Sequence, residues 1–453
     1  MGFQNPVSIT LFRIVKLLNV LLITLPFGFI WMQFYSNAIY ESFYFWGNWA
    51  VIALFVLCYI IFSRIYHVYN ISFSSISEIF YSELLALFFT NIIMFCIIVL
   101  LMRSMPNLLP QAISIIFEIF IAYAWAYSAY TWYFNHNGVN RTLILYDEHY
   151  KKDNLYKQLQ SLRAFNVEGE MNIHSAIDNG LGLLKNVNSV ILCDVHSHER
   201  NKVLKYCIEH NIYVFVLPRI GDVLMTSLEP IHLLHLPVWK GCRYSPALEF
   251  TFFKRIFDIV SSGIVLLLAS PIMLITGYLI HKTDGGPVFY RQCRLTKDGK
   301  KFDVLKFRSM RVDAEKDGVA RLSTGEKDDR ITPIGRFIRK CRIDELPQLI
   351  NIIKGDMSVV GPRPERPEIA AQYEKFLPEF SLRLQAKAGL TGLAQVYGKY
   401  NTTPYDKLQM DLMYIARPSL IEDLRIIFAT IKILFVAEST EGFEVMRDSK
   451  DEK

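Results

Sequence analysis

The chain has 453 residues, of which 52% are hydrophobic and 20% charged, and it carries a net charge of +6. This apolar content argues against an ordinary soluble protein and predicts a membrane protein with a substantial aqueous part. In such a protein a basic balance indicates anionic lipid headgroups and phosphorylated substrates as partners, and we expect no nucleic acid. The seven cysteines include no C-x-x-C pair, so neither a zinc site nor a disulfide framework is indicated.

Four apolar segments come first, and each is long enough to cross a hydrocarbon core of about 30 Å as a helix. They are Ile9–Tyr35, Trp46–Tyr66, Leu84–Met102 and Ala112–Phe134. Few charges interrupt them, which argues against a transport pathway, so residues 1–138 are expected to form a four-span helical bundle that anchors the chain. Arg13 and Lys16 lie early in the first segment and further basic residues follow the fourth, whereas the loop Ser36–Phe45 has no Lys or Arg. This bias places both ends of the bundle in the cytoplasm, although Arg103 in the expected outer loop runs against it.

Residues 139–241 change to a soluble α/β pattern that predicts a small parallel sheet and a Rossmann-like module. The expected strands are Thr142–Tyr146, Ser189–Cys193 and Ile212–Leu217, and the expected helices are Lys151–Phe165, His174–Lys185 and His198–His210. The first strand-to-helix turn, Tyr146–Tyr150, has no glycine and two acidic residues, so no bound nucleotide is expected. We interpret the module as structural or regulatory, and His196 and His198 beside Cys193 as surface-loop residues rather than metal ligands.

A linker, Leu236–Glu249, leads to a fifth apolar segment, Ile259–Ile280, which Ser270 and Pro271 interrupt. It is long enough to span, but a fifth span would export everything that follows, including most of the basic residues. Proline in mid-segment removes a helical hydrogen bond, and Ser270 can rebond the backbone group that it frees. The segment is therefore predicted to be a re-entrant helix whose two ends lie in the same leaflet.

The next residues predict a β-hairpin, because two strand patterns flank the turn Lys297–Lys300. Such a hairpin would bring four basic residues into one region: Arg291, Arg294, Lys306 and Arg308. A solvated basic face is the alternative interpretation. Further on, Thr332 and Pro333 open a helix whose basic face carries Arg336 and which leads directly into Asp344 and Glu345.

Adjacent carboxylates suit substitution at the phosphorus of a sugar nucleotide. An aspartate can attack phosphorus and hold an acyl-phosphate, and a neighbouring glutamate can bind Mg²⁺. Arginine forks suit phosphate oxygens, and Arg363 is fixed between Pro362 and Pro364. An Asp-Glu pair alone is weak evidence, since most such pairs are solvated surface.

The stretch from Lys254 to about Ala437 resembles the bacterial sugar transferases that are large monotopic phosphoglycosyl transferases. The resemblance depends on Lys254–Asp258, Gly286–Gln292, Phe307–Met310, Arg342–Gln348, Gly355–Glu365 and Gly389–Gly392. It implies a mostly helical α+β catalytic domain over residues 242–440, with the Ser270-Pro271 break in its re-entrant helix and a charged tail over 441–453. The four spans and the α/β module match the large form by architecture only.

The resemblance also implies a ping-pong reaction at a bacterial inner or plasma membrane, with the catalytic domain cytoplasmic. Asp344 would attack a UDP-sugar and release UMP, Glu345 would hold Mg²⁺, and undecaprenyl phosphate would accept the sugar phosphate, with glucose or galactose as the expected sugar. The phosphate- and substrate-binding residues would be Arg291, Lys306, Arg308, Arg336, Arg342, Gln348 and Arg363. Homodimer formation and contacts with polysaccharide-assembly proteins are further expectations.

Two departures from the family pattern leave the sugar open: Ala388 stands where proline is usual, and Leu393 stands where tryptophan is frequent. Two rival functions also stay open. A glycosyltransferase would release UDP without a phospho-enzyme, and a membrane scaffold for polysaccharide assembly would need neither Asp344 nor Arg363.

Overall fold

A computed structural model describes residues 6–43, 46–147, 156, 159, 162–244, 246–311, 330–398 and 402–434. The described chain divides into two compact units, and the boundary lies between Arg219 and Ile220. The first unit contains an apolar helical bundle and an α/β module. The second unit contains a mixture of helices and short strands.

Four apolar helices form the bundle of the first unit. They are α1 (Pro6–Ile30, continued by a π-helical turn over Trp31–Tyr35), α2 (Gly47–Ile65), α3 (Ile76–Met102) and α4 (Leu108–Asn137). Large aromatic side chains fill the centre, where the Phe27 and Phe55 rings stack with centroids 4.3 Å apart. Many outward-facing leucines and phenylalanines are exposed, as lipid-facing residues would be.

Each of the four predicted apolar segments corresponds to one of these helices, and only Trp46–Tyr66 extends past its helix, by one residue at each end. Helix α3 begins eight residues before the predicted Leu84, because Ser75 and Glu78 form a capping box that satisfies the first backbone N–H groups. Helix α4 begins at Leu108 because the Asn107 side chain accepts a hydrogen bond from the Leu109 N–H. Together with the helix Leu248–Asp284 of the second unit, these make five helices in the described part of the chain that are long and apolar enough to cross a membrane.

The α/β module is a four-stranded, all-parallel sheet. Its strands are β1 (Asn140–Tyr146), β2 (Phe165–Asn172), β3 (Ser189–Cys193) and β4 (Tyr213–Val216), in the order β2-β1-β3-β4. Strand β3 is buried along its whole length, and helices α5 (Ile173–Asp178) and α6 (Ser197–Glu209) cover the sheet. Three of these strands were predicted within a few residues, and β2 was not predicted.

Two of the predicted helices in this module differ from the structure. The helix predicted over Lys151–Phe165 lies largely outside the described residues, and its last residue opens β2. The helix predicted over His174–Lys185 is wrong as one element, since α5 ends at Asp178 and a 3₁₀ turn follows over Gly182–Asn186. Gly180 separates them with φ +70°, a conformation that favours glycine.

The second unit opens with α7 (Ile220–Met225) and a two-stranded antiparallel ribbon, β5 (Glu229–Leu233) and β6 (Leu236–Lys240). The ribbon lies partly in the predicted linker Leu236–Glu249, so that part of the prediction is wrong. The rest of the linker leads to α8 (Leu248–Asp284), a helix of 37 residues.

Helix α8 continues through Ser270 and Pro271, so the predicted interruption of the helix is wrong. Pro271 has no N–H to donate to the Leu267 carbonyl, but the Ser270 hydroxyl donates to that same oxygen at 2.7 Å. The hydroxyl replaces the missing donor, and the helix can pass the proline without leaving a bare carbonyl in an apolar environment.

The remainder of the second unit surrounds one face of α8. Its elements are β7 (Phe289–Leu295), β8 (Lys301–Phe307), α9 (Pro333–Lys340), α10 (Gln348–Lys354), β9 (Ser358–Val360), α11 (Pro367–Phe376), β10 (Gly389–Thr391), α12 (Leu393–Val396), α13 (Pro404–Ala416) and α14 (Leu420–Leu434). The predicted hairpin is confirmed as the antiparallel pair β7–β8, and the predicted amphipathic helix over Ser419–Val436 as α14.

Strands β9 and β10 pair in parallel and bring two glycine backbones into close approach. A side chain at Gly361 would meet the Lys387 carbonyl, and one at Gly389 would meet the Gly361 backbone, in each case closer than real atoms approach. These two positions therefore require glycine, and the tight packing fixes where the chain leaves β9.

Candidate active site

Asp344 and Glu345 lie on a short turn between two helices. Helix α9 begins where the Thr332 side chain accepts a hydrogen bond from the Gly335 N–H, and Pro333 occupies its first turn. After α9 ends, Arg342 reverses the chain with φ +53°, and a 3₁₀ turn over Ile343–Glu345 carries both carboxylates. The start of α10 follows directly, so both ends of the turn are held by regular structure.

Three cations surround the Glu345 carboxylate. Its Oε1 atom lies 3.3 Å from Lys306 Nζ and 3.4 Å from Arg363 Nη2, and its Oε2 atom lies 3.8 Å from Arg342 Nη1. Lys306 comes from β8, Arg342 from the start of the turn and Arg363 from the segment after β9. Residues from three separate parts of the second unit thus converge on one carboxylate.

These charges keep Glu345 ionised. Burial raises the pKa of the Glu345 carboxyl, but Lys306, Arg363 and Arg342 together outweigh burial and lower it to about 2. The Glu345 charge in turn raises the pKa of Arg363. Burial lowers the pKa of Lys306, against the opposing effect of Glu345.

The neighbouring Asp344 behaves differently. Burial, and then the negative charge of Glu345, raise the pKa of the Asp344 carboxyl, whereas Lys306, Arg339 and Arg342 oppose that rise. Two adjacent carboxyl groups with pKa values displaced in opposite directions are typical of catalytic sites, where the two groups take different roles.

Buried side chains fix the backbone of the segment that carries Arg363 by hydrogen bonds to its carbonyl groups. We call Pro362–Glu365 the Arg363 segment. Arg383 Nη2 donates to the Arg363 carbonyl at 2.9 Å, and Arg294 Nη1 donates to the Pro364 carbonyl at 3.1 Å. Arg383 is itself paired with Asp411 at 2.7 Å, and both side chains are almost completely buried. Because its backbone is fixed, the guanidinium of Arg363 is held toward Glu345.

The structure thus brings together five of the predicted site residues: Lys306, Arg342, Asp344, Glu345 and Arg363. The other predicted residues lie elsewhere. Arg291 pairs with Leu305 in the hairpin and therefore projects from the face opposite Lys306, because side chains alternate along a strand. Of the four basic residues that the hairpin was predicted to gather in one region, Arg291 therefore lies on the face opposite Lys306.

Three further predicted residues flank the turn without contacting its carboxylates. Arg308 is buried just after β8, Arg336 is exposed on α9, and Gln348 is buried as the first residue of α10. Their assignment as substrate-binding residues, like that of Arg291, stays a prediction. Ser270 and Pro271 lie in α8, away from the turn.

Sequence reasoning missed the residues that act from a distance along the chain. Arg383 and Asp411 are separated from Arg363 by tens of residues, and no local pattern marks them. Arg294 was among the basic residues of the predicted hairpin, but its hydrogen bond to the Pro364 carbonyl was not predicted. Arg339 had a signal, since it lies on the basic face of α9. Its Nη1 atom is buried without a hydrogen-bond partner among the described residues, and its charge opposes the rise in the pKa of Asp344.

The donor set fits a magnesium ion completed by a substrate. The described residues hold no group of three metal-ligating side chains, but Mg²⁺ commonly takes one or two carboxylates and fills its other positions with phosphate oxygens and water. Asp344 and Glu345 supply two carboxylates. The cation nearest Glu345 Oε2 lies 3.8 Å away, which is beyond hydrogen-bonding distance and leaves that oxygen able to bind a metal.

The part of the chain that carries the site matches the family described as bacterial sugar transferases. A model of that family matches residues 249–437, which include every residue of the site. The exopolysaccharide production protein PSS of Rhizobium leguminosarum bv. phaseoli is 41% identical over 198 residues, which cover 42% of this chain and 96% of that protein. The chain belongs to the bacterial sugar transferase family.

Longer relatives match over the same region. The UDP-glucose:undecaprenyl-phosphate glucose-1-phosphate transferase of Klebsiella pneumoniae is 41% identical over 192 residues, which cover 41% of each chain. The undecaprenyl-phosphate galactose phosphotransferase of Salmonella typhimurium is 41% identical over 197 residues, which cover 40% of each chain. The chain thus matches about two fifths of the length of these relatives.

Proposed function

We propose that this chain transfers a hexose-1-phosphate from a UDP-sugar to a polyprenyl phosphate, releases UMP, and so begins the synthesis of a capsule, exopolysaccharide or O-antigen. The observation that carries the proposal is the Asp344-Glu345 turn surrounded by Lys306, Arg342 and Arg363. Nucleophile, metal ligand and phosphate-binding cations are the groups that substitution at phosphorus needs.

In the first half-reaction Asp344 is the nucleophile. A carboxylate oxygen of Asp344 forms a bond to the sugar-bearing phosphorus, and the bond from that phosphorus to the oxygen of UMP breaks, so that UMP leaves and a phospho-aspartate remains. The raised pKa of Asp344 makes its carboxylate, when ionised, a better nucleophile than a fully solvated one.

The surrounding charges bind and orient the diphosphate. Arg363 and Arg342 offer guanidinium forks to phosphate oxygens, and Lys306 adds a point charge. Arg339, with a buried nitrogen that lacks a partner among the described residues, supplies a further donor on the Asp344 side. Glu345 would hold Mg²⁺, which when bound would offset the negative charge of the phosphate oxygens.

In the second half-reaction an oxygen of polyprenyl phosphate attacks the phospho-aspartate. A phosphorus–oxygen bond to the lipid forms, the bond to Asp344 breaks, and the carboxylate is restored. The product is a polyprenyl diphosphate sugar. The Klebsiella and Salmonella relatives are named for undecaprenyl phosphate as the acceptor and for glucose and galactose, respectively, as the sugar. We therefore infer the same acceptor and one of these two sugars.

Helix α8 supports a location at the cytoplasmic membrane face. Near its start Arg255 donates to the Ile352 carbonyl and Asp258 accepts from the Ser358 hydroxyl, and near its end Ile280 packs with Phe307 and Ile338. Both ends thus contact the same unit, while apolar side chains such as Leu267 and Leu274 are 75% exposed. We infer that α8 lies in one leaflet, that α1–α4 span the membrane, and that the parallel sheet is a Rossmann-like module with no nucleotide.

The reaction is tested by nucleotide release. The detergent-purified chain is mixed with Mg²⁺ and a series of UDP-sugars, with and without undecaprenyl phosphate, and UMP is separated from UDP. We expect UMP that requires one sugar and rises with the lipid. UDP as the product would contradict the proposal and favour a glycosyltransferase, and neither nucleotide from folded protein would favour a scaffold.

The arrangement of α8 is tested with two native cysteines. Cys242 precedes α8 and Cys293 follows it, and both are exposed. A membrane-impermeant maleimide, applied to sealed right-side-out and inverted vesicles, should label both only in inverted vesicles, as mass spectrometry of the peptides would show. Labelling of one cysteine from each side would mean that α8 crosses the bilayer.

A further inference from the structure

Three helices of the bundle meet at a cluster of buried polar side chains that the proposed reaction does not use. We call Asn19, Tyr59, Tyr69 and Glu83 the Glu83 cluster. Asn19, Tyr59 and Glu83 have no exposed surface and come from α1, α2 and α3, respectively. Tyr69 joins them from the connection between α2 and α3. An ionisable side chain inside an apolar bundle is costly, and so asks for a physical explanation.

Four short contacts link the cluster. Glu83 Oε1 lies 2.7 Å from Asn19 Nδ2 and 2.8 Å from the Tyr59 hydroxyl. The Tyr59 hydroxyl also lies 2.6 Å from Asn19 Oδ1, and the Tyr69 hydroxyl lies 3.0 Å from the same Asn19 oxygen. Each contact needs one proton between the two atoms, because two oxygens at this distance with no proton between them repel each other.

The protons of the uncharged partners do not suffice. Asn19 Oδ1 is only an acceptor, so the single hydroxyl proton of Tyr59 must point to it, and Tyr69 supplies its own proton to the same oxygen. The contact between Tyr59 and Glu83 Oε1 then has no proton unless Glu83 carries one. An ionised Glu83 would leave these two oxygens facing each other at 2.8 Å.

Reversing the Asn19 amide leads to the same result. The amide nitrogen would then donate to both tyrosines, and Tyr59 would donate to Glu83, but the amide oxygen would face Glu83 Oε1 with no proton between them. Glu83 again has to supply it. The count is independent of how the amide is oriented.

We infer that Glu83 is a proton-binding site, whose carboxyl keeps one proton in the folded bundle and uses it to join α1, α2 and α3. Its other oxygen, Oε2, is buried without a hydrogen-bond partner among the described residues, which a neutral carbonyl oxygen tolerates better than a charged one. The other titratable groups of the cluster are Tyr59 and Tyr69. A cation, Lys16, lies beside Tyr69 rather than beside Glu83: its Nζ atom is 5.3 Å from the centre of the Tyr69 ring.

The bundle contains a matched control. Glu118 on α4 also has no exposed surface, but it accepts from Asn91 Nδ2 at 2.6 Å and from the Ser114 hydroxyl at 2.8 Å. Those donors provide a proton for every contact, so Glu118 needs none of its own. The two glutamates share burial and bundle and differ in the hydrogen-bond count.

Infrared spectroscopy of the full-length protein at neutral pH tests the inference, because a protonated carboxyl has a C=O stretching band that a carboxylate lacks. The spectrum of Glu83→Gln, subtracted from that of the unmodified chain, should show loss of a carboxylic-acid band. Loss of a carboxylate band instead would overturn the inference. Tyr59→Phe is the second variant: it removes the oxygen that accepts the Glu83 proton, so the acid band should shift or disappear, and an unchanged acid band would contradict the assignment.

Thermal unfolding gives an independent readout. A proton that the folded state keeps and the unfolded state releases makes stability fall as pH rises. We expect the unfolding temperature of the bundle to decrease from neutral to alkaline pH, and this dependence to be smaller in Glu83→Gln but retained in Glu118→Gln. Equal dependence in the two variants would overturn the inference.

Discussion

Glu83 in the helical bundle has no exposed surface and Glu345 in the second unit has 16% of its side chain exposed, so both are largely buried, yet their neighbours differ in charge. Glu83 contacts the Asn19 amide and the Tyr59 hydroxyl, and no cation among the described residues forms an ion pair with it. Glu345 meets Lys306, Arg363 and Arg342. A carboxyl group can be buried either by keeping a proton or by gathering opposite charges, and this chain uses one solution in each unit.

Because their surroundings differ in charge, the two glutamates can take different roles. A neutral carboxyl donates one directional hydrogen bond and can join helices, but it has no charge to offer a metal or a phosphate. A charged carboxyl among cations can bind a metal and hold guanidinium groups in place, but in an apolar bundle its desolvation cost would not be recovered. Five experiments test or sharpen this contrast.

The largest effect is expected at Asp344, the proposed nucleophile, which lies beside the cations that surround Glu345. Asp344→Asn should reduce UMP release by roughly 10⁴-fold or more, because an amide cannot form the acyl-phosphate. UMP is measured by chromatography with the best donor sugar. Unchanged UMP release from folded protein would exclude Asp344 as the nucleophile.

The two glutamates should separate clearly in activity. Glu345→Gln should reduce UMP release by about 10²-fold to 10³-fold, because the charge that holds three cations and the metal is lost. Glu83→Gln should leave UMP release per folded molecule unchanged. If both variants lost activity equally, the bundle glutamate would have a part in the reaction that its surroundings do not indicate.

A smaller effect is expected where a cation changes shape but keeps its charge. Arg363→Lys should lower UMP release by roughly 10-fold, since a point charge replaces a fork that reaches both Glu345 and phosphate. Arg243→Lys is the matched control, because Arg243 forms an exposed ion pair with Asp298 outside the site. Equal activity of the two variants would remove Arg363 from the site.

The acid limb of the activity profile should belong to Asp344. Its carboxyl must be ionised to attack, and its pKa is raised by burial and by Glu345, whereas the pKa of Glu345 is about 2. Activity measured as kcat/KM should therefore fall as pH falls through a range above that of an ordinary carboxyl. Glu345→Gln removes one cause of the raised pKa, so its acid limb should move to lower pH; movement to higher pH would contradict the charge coupling.

The smallest effects concern stability, and their signs should be opposite. The pKa of Glu345 lies below its ordinary value of 4.5, so its stabilising contribution is present at neutral pH and is lost as pH falls toward 2. Glu345→Gln should therefore lose less stability on acidification than the unmodified chain does. Glu83→Gln should instead lose less on alkalinisation, and the two unfolding profiles can be compared by circular dichroism.

The centre of the candidate site could be predicted from the sequence because its chemistry is local. Asp344, Glu345 and Arg342 lie on one turn, and the proline pair around Arg363 marks a fixed backbone. Lys306 followed from the predicted hairpin. The pairing register of the two strands decides which hairpin residues share a face, and the register depends on the packing of the whole strand. Local patterns therefore could not show that Arg291 and Lys306 lie on opposite faces.

The support behind the site could not be predicted from local patterns. Arg383 and Asp411 are buried charges that meet only when α13 packs beside the 3₁₀ turn over Pro378–Gln385. A single sequence shows them as ordinary polar residues of amphipathic segments. The position of Glu83 inside α3 had a signal in the sequence, because Ser75 and Glu78 form the capping box that starts the helix before Glu83. The predicted apolar segment began only at Leu84 and so left Glu83 out.

The close backbone contact between Gly361 and Gly389 has a consequence for mutational tolerance. A single methyl group at either position would push β9 away from β10, and the Arg363 segment leaves β9 directly after Gly361. A neutral, apolar substitution there would displace the guanidinium from Glu345 as effectively as removing its charge. Screens for loss of function should therefore find substitutions at Gly361 and Gly389, which carry no functional group, because the added side-chain volume alone displaces Arg363.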